Sequence, residues 1–184
     1  LNLTVKPNPK INIEKKQIKL AKKKFKIKSS EKKILLGIGG SGPTKRVPAK
    51  KFIEFIGLTL KKYKSKFFLA TGKNAGEQKI LKEIMNSKYK NKCYKLDNLP
   101  IKKVLPIICN CNIAVCNDSS FSHLSAALGI KTIVLMTDTP LMYGNYNKFM
   151  HAIIPDGEKT VTHDTLGKNK INPKKIFKKL IKLI

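Results

Sequence analysis

Residues Val115–Gly129 read VCNDSSFSHLSAALG. An apolar, strand-like run ends at Cys116. Four polar residues follow, Asn117, Asp118, Ser119 and Ser120, and a run of helical composition then closes on Gly129. A strand that passes straight into a helix is the repeating junction of an alternating α/β chain. The polar residues at the turn have two physical explanations. Asp118 or Ser119 caps the helix, whose first amides lack intrahelical partners. Alternatively, the amides of Ser120, Phe121 and Ser122, at the positive end of the helix dipole, hold a phosphate with help from the serine hydroxyls.

Outward from this junction the same alternation recurs. Strands are expected at 34–38 (ILLGI), 66–71 (KFFLAT), 92–96 (KCYKL), 112–116 (NIAVC) and 131–136 (KTIVLM). Helices are expected between them. Residues 49–63 place Phe52, Phe55, Ile56 and Leu60 on one face, and residues 76–87 turn Ile80, Leu81 and Ile84 inward. Residues 100–110 read as a helix interrupted near Pro106, and residues 120–128 as a helix capped by Gly129. At the ends, 13–26 and 173–183 read as lysine-rich amphipathic helices, and residues 1–12 as extended linker with Pro7 and Pro9. The stretch between 136 and 173 is long, polar and bears Pro and Gly.

Strands alternating with helices imply a Rossmann-like, doubly wound parallel sheet of five to six strands. Right-handed crossovers favour the order 3-2-1-4-5. The first and fourth strands then lie side by side where the winding reverses, and ligands bind beyond their carboxyl ends. The loops at that point are GGSGPTKR (39–46) and NDSSF (117–121). Residues 1–30 are expected as linker and short helix, and 31–184 as one ligand-binding domain.

Composition narrows the function classes. The chain has 184 residues, 39 of them basic against 11 acidic, for a net charge of +28. Such a balance suits anionic partners. Arg46 is the only arginine, however, and base-edge readers favour the arginine fork, which argues against nucleic acid. An anionic membrane surface needs only point charges and remains a candidate partner. No run approaches the ~20 apolar residues of a membrane helix, and the first residues lack a secretory core. A cytoplasmic protein is expected, peripheral to the membrane at most. Because residue 1 is Leu, a processed or cut product is expected. Cys93, Cys109, Cys111 and Cys116 do not match paired zinc spacing, and Cys111 and Cys116 read as small core residues.

The glycine loop invites two enzyme readings that its details oppose. Gly37, Gly39 and Gly42 fit G-x-G-x-x-G after a strand. A dinucleotide fingerprint needs a helix at once and an acid about 20 residues on. Here Pro43 and Pro48 delay the helix, and the second strand runs into Thr71 and Gly72. No Lys follows Gly42, so it is not a P-loop. What remains is a plain glycine turn, or small residues that admit phosphate to backbone amides with Lys45 and Arg46 supplying charge. Asp118, Ser119 and His123 lack the strand-elbow frame of a hydrolase triad.

Taken together, CNDSSFSHLSAALGIKTIVLMTDTPLMYG (116–144), GIGGSGPTKRVPAKKF (37–52) and LATGKNAGEQKI (69–80) resemble the donor half of glycosyltransferase family nine, the heptosyltransferases. The resemblance covers about residues 33–145. It implies the C-terminal domain of a two-domain GT-B enzyme, which binds a nucleotide-diphosphate sugar such as ADP-heptose for transfer to a lipopolysaccharide-core acceptor. No metal cofactor is implied, and the general-base Asp belongs to an N-terminal acceptor half. By the resemblance, Lys45 touches the donor phosphates, and Ser119, Ser120 and Phe121 contact the diphosphate beside Asp118 and His123. Glu77 reaches the ribose, a residue near Leu99 flanks the base, and Thr137 to Pro140, Thr139 included, lie near the sugar. Ser120 stands where the family has Gly, and Met136-Thr137-Asp138-Thr139-Pro140 stands where it has Phe-Gly-Pro-Thr. The alternative is a non-enzymatic basic module for nucleic acid or anionic membrane, motivated by the lysine-rich ends.

Overall fold

The computed structural model describes residues 8–184; the part of the expected linker at residues 1–7 lies outside them. Six parallel strands form one sheet: β1 (Lys32–Gly37), β2 (Ser65–Ala70), β3 (Cys93–Lys95), β4 (Ile113–Asn117), β5 (Thr132–Leu135) and β6 (Met150–Ile153). Their order is β3-β2-β1-β4-β5-β6, so the expected order holds and one strand is added at the edge. Every pairing is parallel. Register places Gly37 opposite Ala70 on one side and Cys116 on the other, which brings the ends of β1, β2 and β4 level.

Helices cover both faces, and the strand residues alternate between them. Ile34, Leu36, Phe67, Leu69, Ile113 and Val115 share one core with α2 (Ala49–Lys62), α3 (Ala75–Met85) and α7 (Pro173–Leu183). Leu35, Phe68, Ala70, Ala114 and Cys116 share the other with α1 (Lys15–Lys24), α4 (Ile101–Ile108) and α5 (Ser120–Ala127). A strand buried on both faces reads as a continuous apolar run, which is why ILLGI and NIAVC show no polar alternation. Phe52, Phe55 and Ile56 are fully buried as their helical spacing requires.

Local chemistry sets the helix ends. Asn74 caps α3 by accepting the Gly76 amide at 2.9 Å. Asn172 caps α7 by accepting from Lys174, with Pro173 in the first turn. Gly129 ends α5 at φ +77°, with its amide donating to Ala126 and that of Ile130 to Ser125. That pair of bonds is a Schellman motif, which an αL glycine permits.

The expected interruption of α4 does not occur. The helix runs through Pro106, which is buried and faces α1. Pro106 removes only one intrahelical bond from a short helix, and packing of Val104, Ile107 and Ile108 outweighs that loss. The polar stretch after β5 also contains a four-residue helix, α6 (Met142–Asn145), and β6. Among the described residues no helix is long and apolar enough to cross a membrane.

The four cysteines are free. Burial pushes the Cys93 and Cys116 thiols up to about 12, and Cys111 is raised in the same way. Cys111 and Cys116 therefore act as small core residues, as their strand positions suggest.

Candidate functional site

Beyond the carboxyl ends of β1 and β4, the two loops meet. Lys45 Nζ lies 2.9 Å from Asp118 Oδ2, although the residues are 73 apart in sequence. Asp118 is only 6% exposed, so the pair is largely shielded from solvent on the acid's side. Burial opposes ionisation of Asp118. The nearby His123, Lys45 and Thr139 outweigh that, Lys45 through a direct hydrogen bond, and hold the carboxyl well below the usual carboxylate range. His123 Nε2 stands 3.7 Å from Asp118 Oδ1, too far for a direct hydrogen bond but close enough to feel its charge. The other ring nitrogen, Nδ1, is 2.9 Å from the Tyr146 hydroxyl, and the two rings stack.

Helix α5 starts at this ion pair. Ser119 and Ser122 occupy the two positions of a capping box, but only the Ser122 half meets hydrogen-bond geometry: its Oγ faces the Ser119 amide at 3.4 Å. The Ser119 Oγ is buried and has no partner among the described residues. The Ser120 and Phe121 amides likewise find no acceptor there, whereas the Ser122 amide donates to the Ser119 carbonyl. Two amide donors at a positive helix end are thus without an acceptor among the described residues, as an anion site requires.

The glycine loop is braced from three sides. Glu77, in the first turn of α3, accepts the Gly40 amide at 2.7 Å. Its carboxylate fills the space that Gly39 and Gly72 leave: a Cβ at either would come within 2.5 Å of a Glu77 oxygen. Arg46 Nε donates to the Gly40 carbonyl, Thr137 Oγ1 to Thr44, and Lys168 Nζ to Pro43. The loop is therefore held in a fixed shape, which suits close approach of a ligand to its backbone. Asn117, fully buried at the end of β4, ties the two loops together by donating to the Ile38 and Gly39 carbonyls.

The structure thus brings Lys45, Asp118, Ser119, Ser120, His123 and Thr139 together, and sets Glu77 behind the glycine loop. Phe121 turns its ring into the core that also holds Cys116, so only its backbone belongs to the site. Thr139 is buried and donates to Asp138 Oδ1 at 3.2 Å. Leu99 lies apart from these groups on the lining of a cleft of about 390 Å³ between α1 and α4, with Leu20, Phe25 and Pro106. Sequence reasoning missed Tyr146 and Lys168. Tyr146 sits in a stretch without a strong period, and one lysine in a lysine-rich chain carries no signal. Among the described residues no cluster of three or more His, Cys, Asp or Glu is arranged to hold a metal ion.

Comparison with known proteins places this geometry in a class. The model of glycosyltransferase family 9 (heptosyltransferase) matches residues 2–181, nearly the whole chain, so the chain belongs to that family. No curated protein matches in sequence. Among solved structures, Escherichia coli ADP-heptose lps heptosyltransferase II superposes with a TM-score of 0.74 at 20% identity, over 97% of this chain and 55% of that one. The glycosyl transferase family 9 protein of Veillonella parvula gives 0.74 at 20%, over 95% and 53%. Escherichia coli heptosyltransferase WaaC, solved with ADP, gives 0.71 at 16%, over 90% and 49%. These likenesses establish a GT-B Rossmann-like fold. The chain spans about half the length of each of these structures.

Proposed function

We propose that this chain is the donor-binding half of a glycosyltransferase, holding a nucleotide-diphosphate sugar of the ADP-heptose type for transfer to a lipopolysaccharide-core-type acceptor. The observation that carries the reading is the contact between Lys45 and Asp118 at the mouth of α5. A cation already poised there, beside two amides without acceptors, is what a pyrophosphate requires. As the glycosidic bond to the donor breaks, negative charge builds on the leaving diphosphate. Lys45 and the α5 amides, fixed before the reaction, stabilise that charge without reorganising. The positive charge comes from these groups with no metal cofactor. The acceptor hydroxyl loses its proton to a general base outside this chain, and transfer inverts the sugar configuration. Asp118 is not that base, because its carboxyl is engaged by Lys45 and depressed in basicity.

In this reading residues 1–30 connect to the acceptor half. Glu77 acts mainly through the loop it braces, and its approach to a ribose is by the oxygen not bound to Gly40. The lysine-rich faces of α1 and α7 suit an anionic membrane surface on the cytoplasmic side, where such an acceptor would lie.

Calorimetric titration of the chain with ADP, GDP, UDP and CDP tests the reading. Binding of one diphosphate, strongest for ADP, with no transferase turnover by the chain alone, is expected. Absence of heat with all four, for a sample shown to be folded, overturns it.

A further inference from the structure

We infer that Tyr146 is a positioning residue for the donor site: it fixes the tautomer and the plane of His123, so that the Nε2–H of the imidazole points at the α5 mouth. The inference rests on the donor-binding reading above for its functional meaning, though not for its geometry.

The argument starts at Asp118. Its carboxyl is ionised across the working range, because Lys45, His123 and Thr139 all favour the charged form over the penalty of burial. An ionised carboxylate only accepts hydrogen bonds. The imidazole nitrogen nearest to it, Nε2 at 3.7 Å, is therefore favoured as the protonated one. In the neutral ring Nδ1 is then an acceptor, and the O–H of Tyr146 lies 2.9 Å from it. The hydroxyl can rotate to accept when the ring is protonated, so Tyr146 serves both charge states.

A second constraint is independent of the hydrogen bond. The two rings stack, with centroids 5.7 Å apart and planes 18° from parallel. His123 is 38% exposed, and its ring is flanked by Asp118 at Nε2 and by Tyr146 at Nδ1 and on its face. Tyr146 closes α6, directly after the loop carrying Thr137, Asp138 and Thr139. One short segment thus supplies both a buried hydroxyl beside Asp118 and the clamp on His123. With Nε2–H held toward Asp118, a diphosphate entering over α5 meets a correctly turned donor rather than a ring that must choose its tautomer on binding. Lost reorganisation on binding is a gain in affinity.

The test uses two substitutions in the full chain. Tyr146→Phe keeps the stack and removes the hydroxyl; Tyr146→Leu removes both. Nitrogen-15 ring spectra of the histidines, recorded at about pH 8.5, well above the ordinary imidazole value, report the tautomer, with His123 assigned by the missing signals of His123→Gln. The Nε2–H pattern is expected in the unsubstituted chain and a mixture in Tyr146→Phe. ADP affinity should fall about 2- to 10-fold in Tyr146→Phe, the range of one hydrogen bond, and further in Tyr146→Leu. An unchanged His123 pattern and unchanged ADP affinity in Tyr146→Phe overturn the inference. Should no variant, including the unsubstituted chain, bind ADP, the donor-site reading fails, while the ring spectra still decide whether Tyr146 sets the tautomer.

Discussion

Two regions of this molecule carry polar and charged groups in opposite ways. At the carboxyl edge of the sheet, Glu77, Asn117, Asp118, Thr137, Asp138 and Thr139 are all buried, and they engage one another, Lys45 or the loop backbone. Along α1 and α7, lysines face solvent, and only scattered pairs such as Lys175 with Asp156 form. The second region carries eleven lysines and no acidic residue, and little of the chain's chemistry. The first contributes almost no net charge and holds the site. A buried polar group must be matched or it costs stability, so its presence is informative. An exposed lysine costs nothing to place, so its number is not.

The lysine-rich helices also differ from each other. Helix α7 buries Pro173, Ile176 and Leu180 in the larger core, whereas α1 buries no residue fully and leaves Leu20 57% exposed. Leu180→Ala should therefore cost about 2–5 kcal/mol of stability, and Leu20→Ala within about 0.5 kcal/mol; denaturant unfolding distinguishes them. Comparable losses would erase the distinction between the helices. Next in size, Lys45→Ala should weaken nucleoside diphosphate binding about tenfold or more, since it removes a charge-assisted contact. Replacing Lys175, Lys178, Lys179 and Lys182 together by Ala should change that affinity by only about twofold at physiological salt, where exposed charges are screened. A larger effect from the four than from Lys45 would make this a basic surface protein after all.

Smaller effects sharpen the edge itself. Glu77→Ala strands the buried Gly40 amide and should cost about 1–3 kcal/mol, while Glu77→Gln keeps an acceptor and should recover much of it. For Asp118 the folded carboxyl lies below its unfolded value of about 3.9. Below that value the unfolded chain binds the proton more readily, so the contribution is complete above about pH 4 and fades as the solution becomes more acid. The stability difference between the unsubstituted chain and Asp118→Asn should follow that course in an unfolding series over pH.

Much of the fold was legible because both-face burial leaves a plain mark. ILLGI, KFFLAT and NIAVC have no other use than central strands. Strand β6 was not legible: MHAI has two half-exposed residues and only one neighbour, so its pattern is weak and its place is set by β5. The proline in α4 misled because local propensity was weighed without the packing that overrides it. In the site, the glycine loop and the α5 start were legible from residue type and spacing. Strand order brought the two loops side by side, but the pairing of Lys45 with Asp118 was not legible, because Lys45 was expected on the donor phosphates. Tyr146 could not be read, since its role depends on a ring 23 residues away that it meets only after β5 and α6 have folded.

The adjacency of β1 and β4 has a consequence for how the site comes into being. Partners such as Lys33 and Asn112 are 79 residues apart, and β2, α3, β3 and α4 must all be threaded between them. Long-range parallel pairing of this kind is slow and arrives late. Neither loop can grip an anion until the two central strands have zipped, so competence for nucleotide should switch on with the completed sheet rather than build up in stages, and added nucleotide should pull the last steps of assembly forward by mass action.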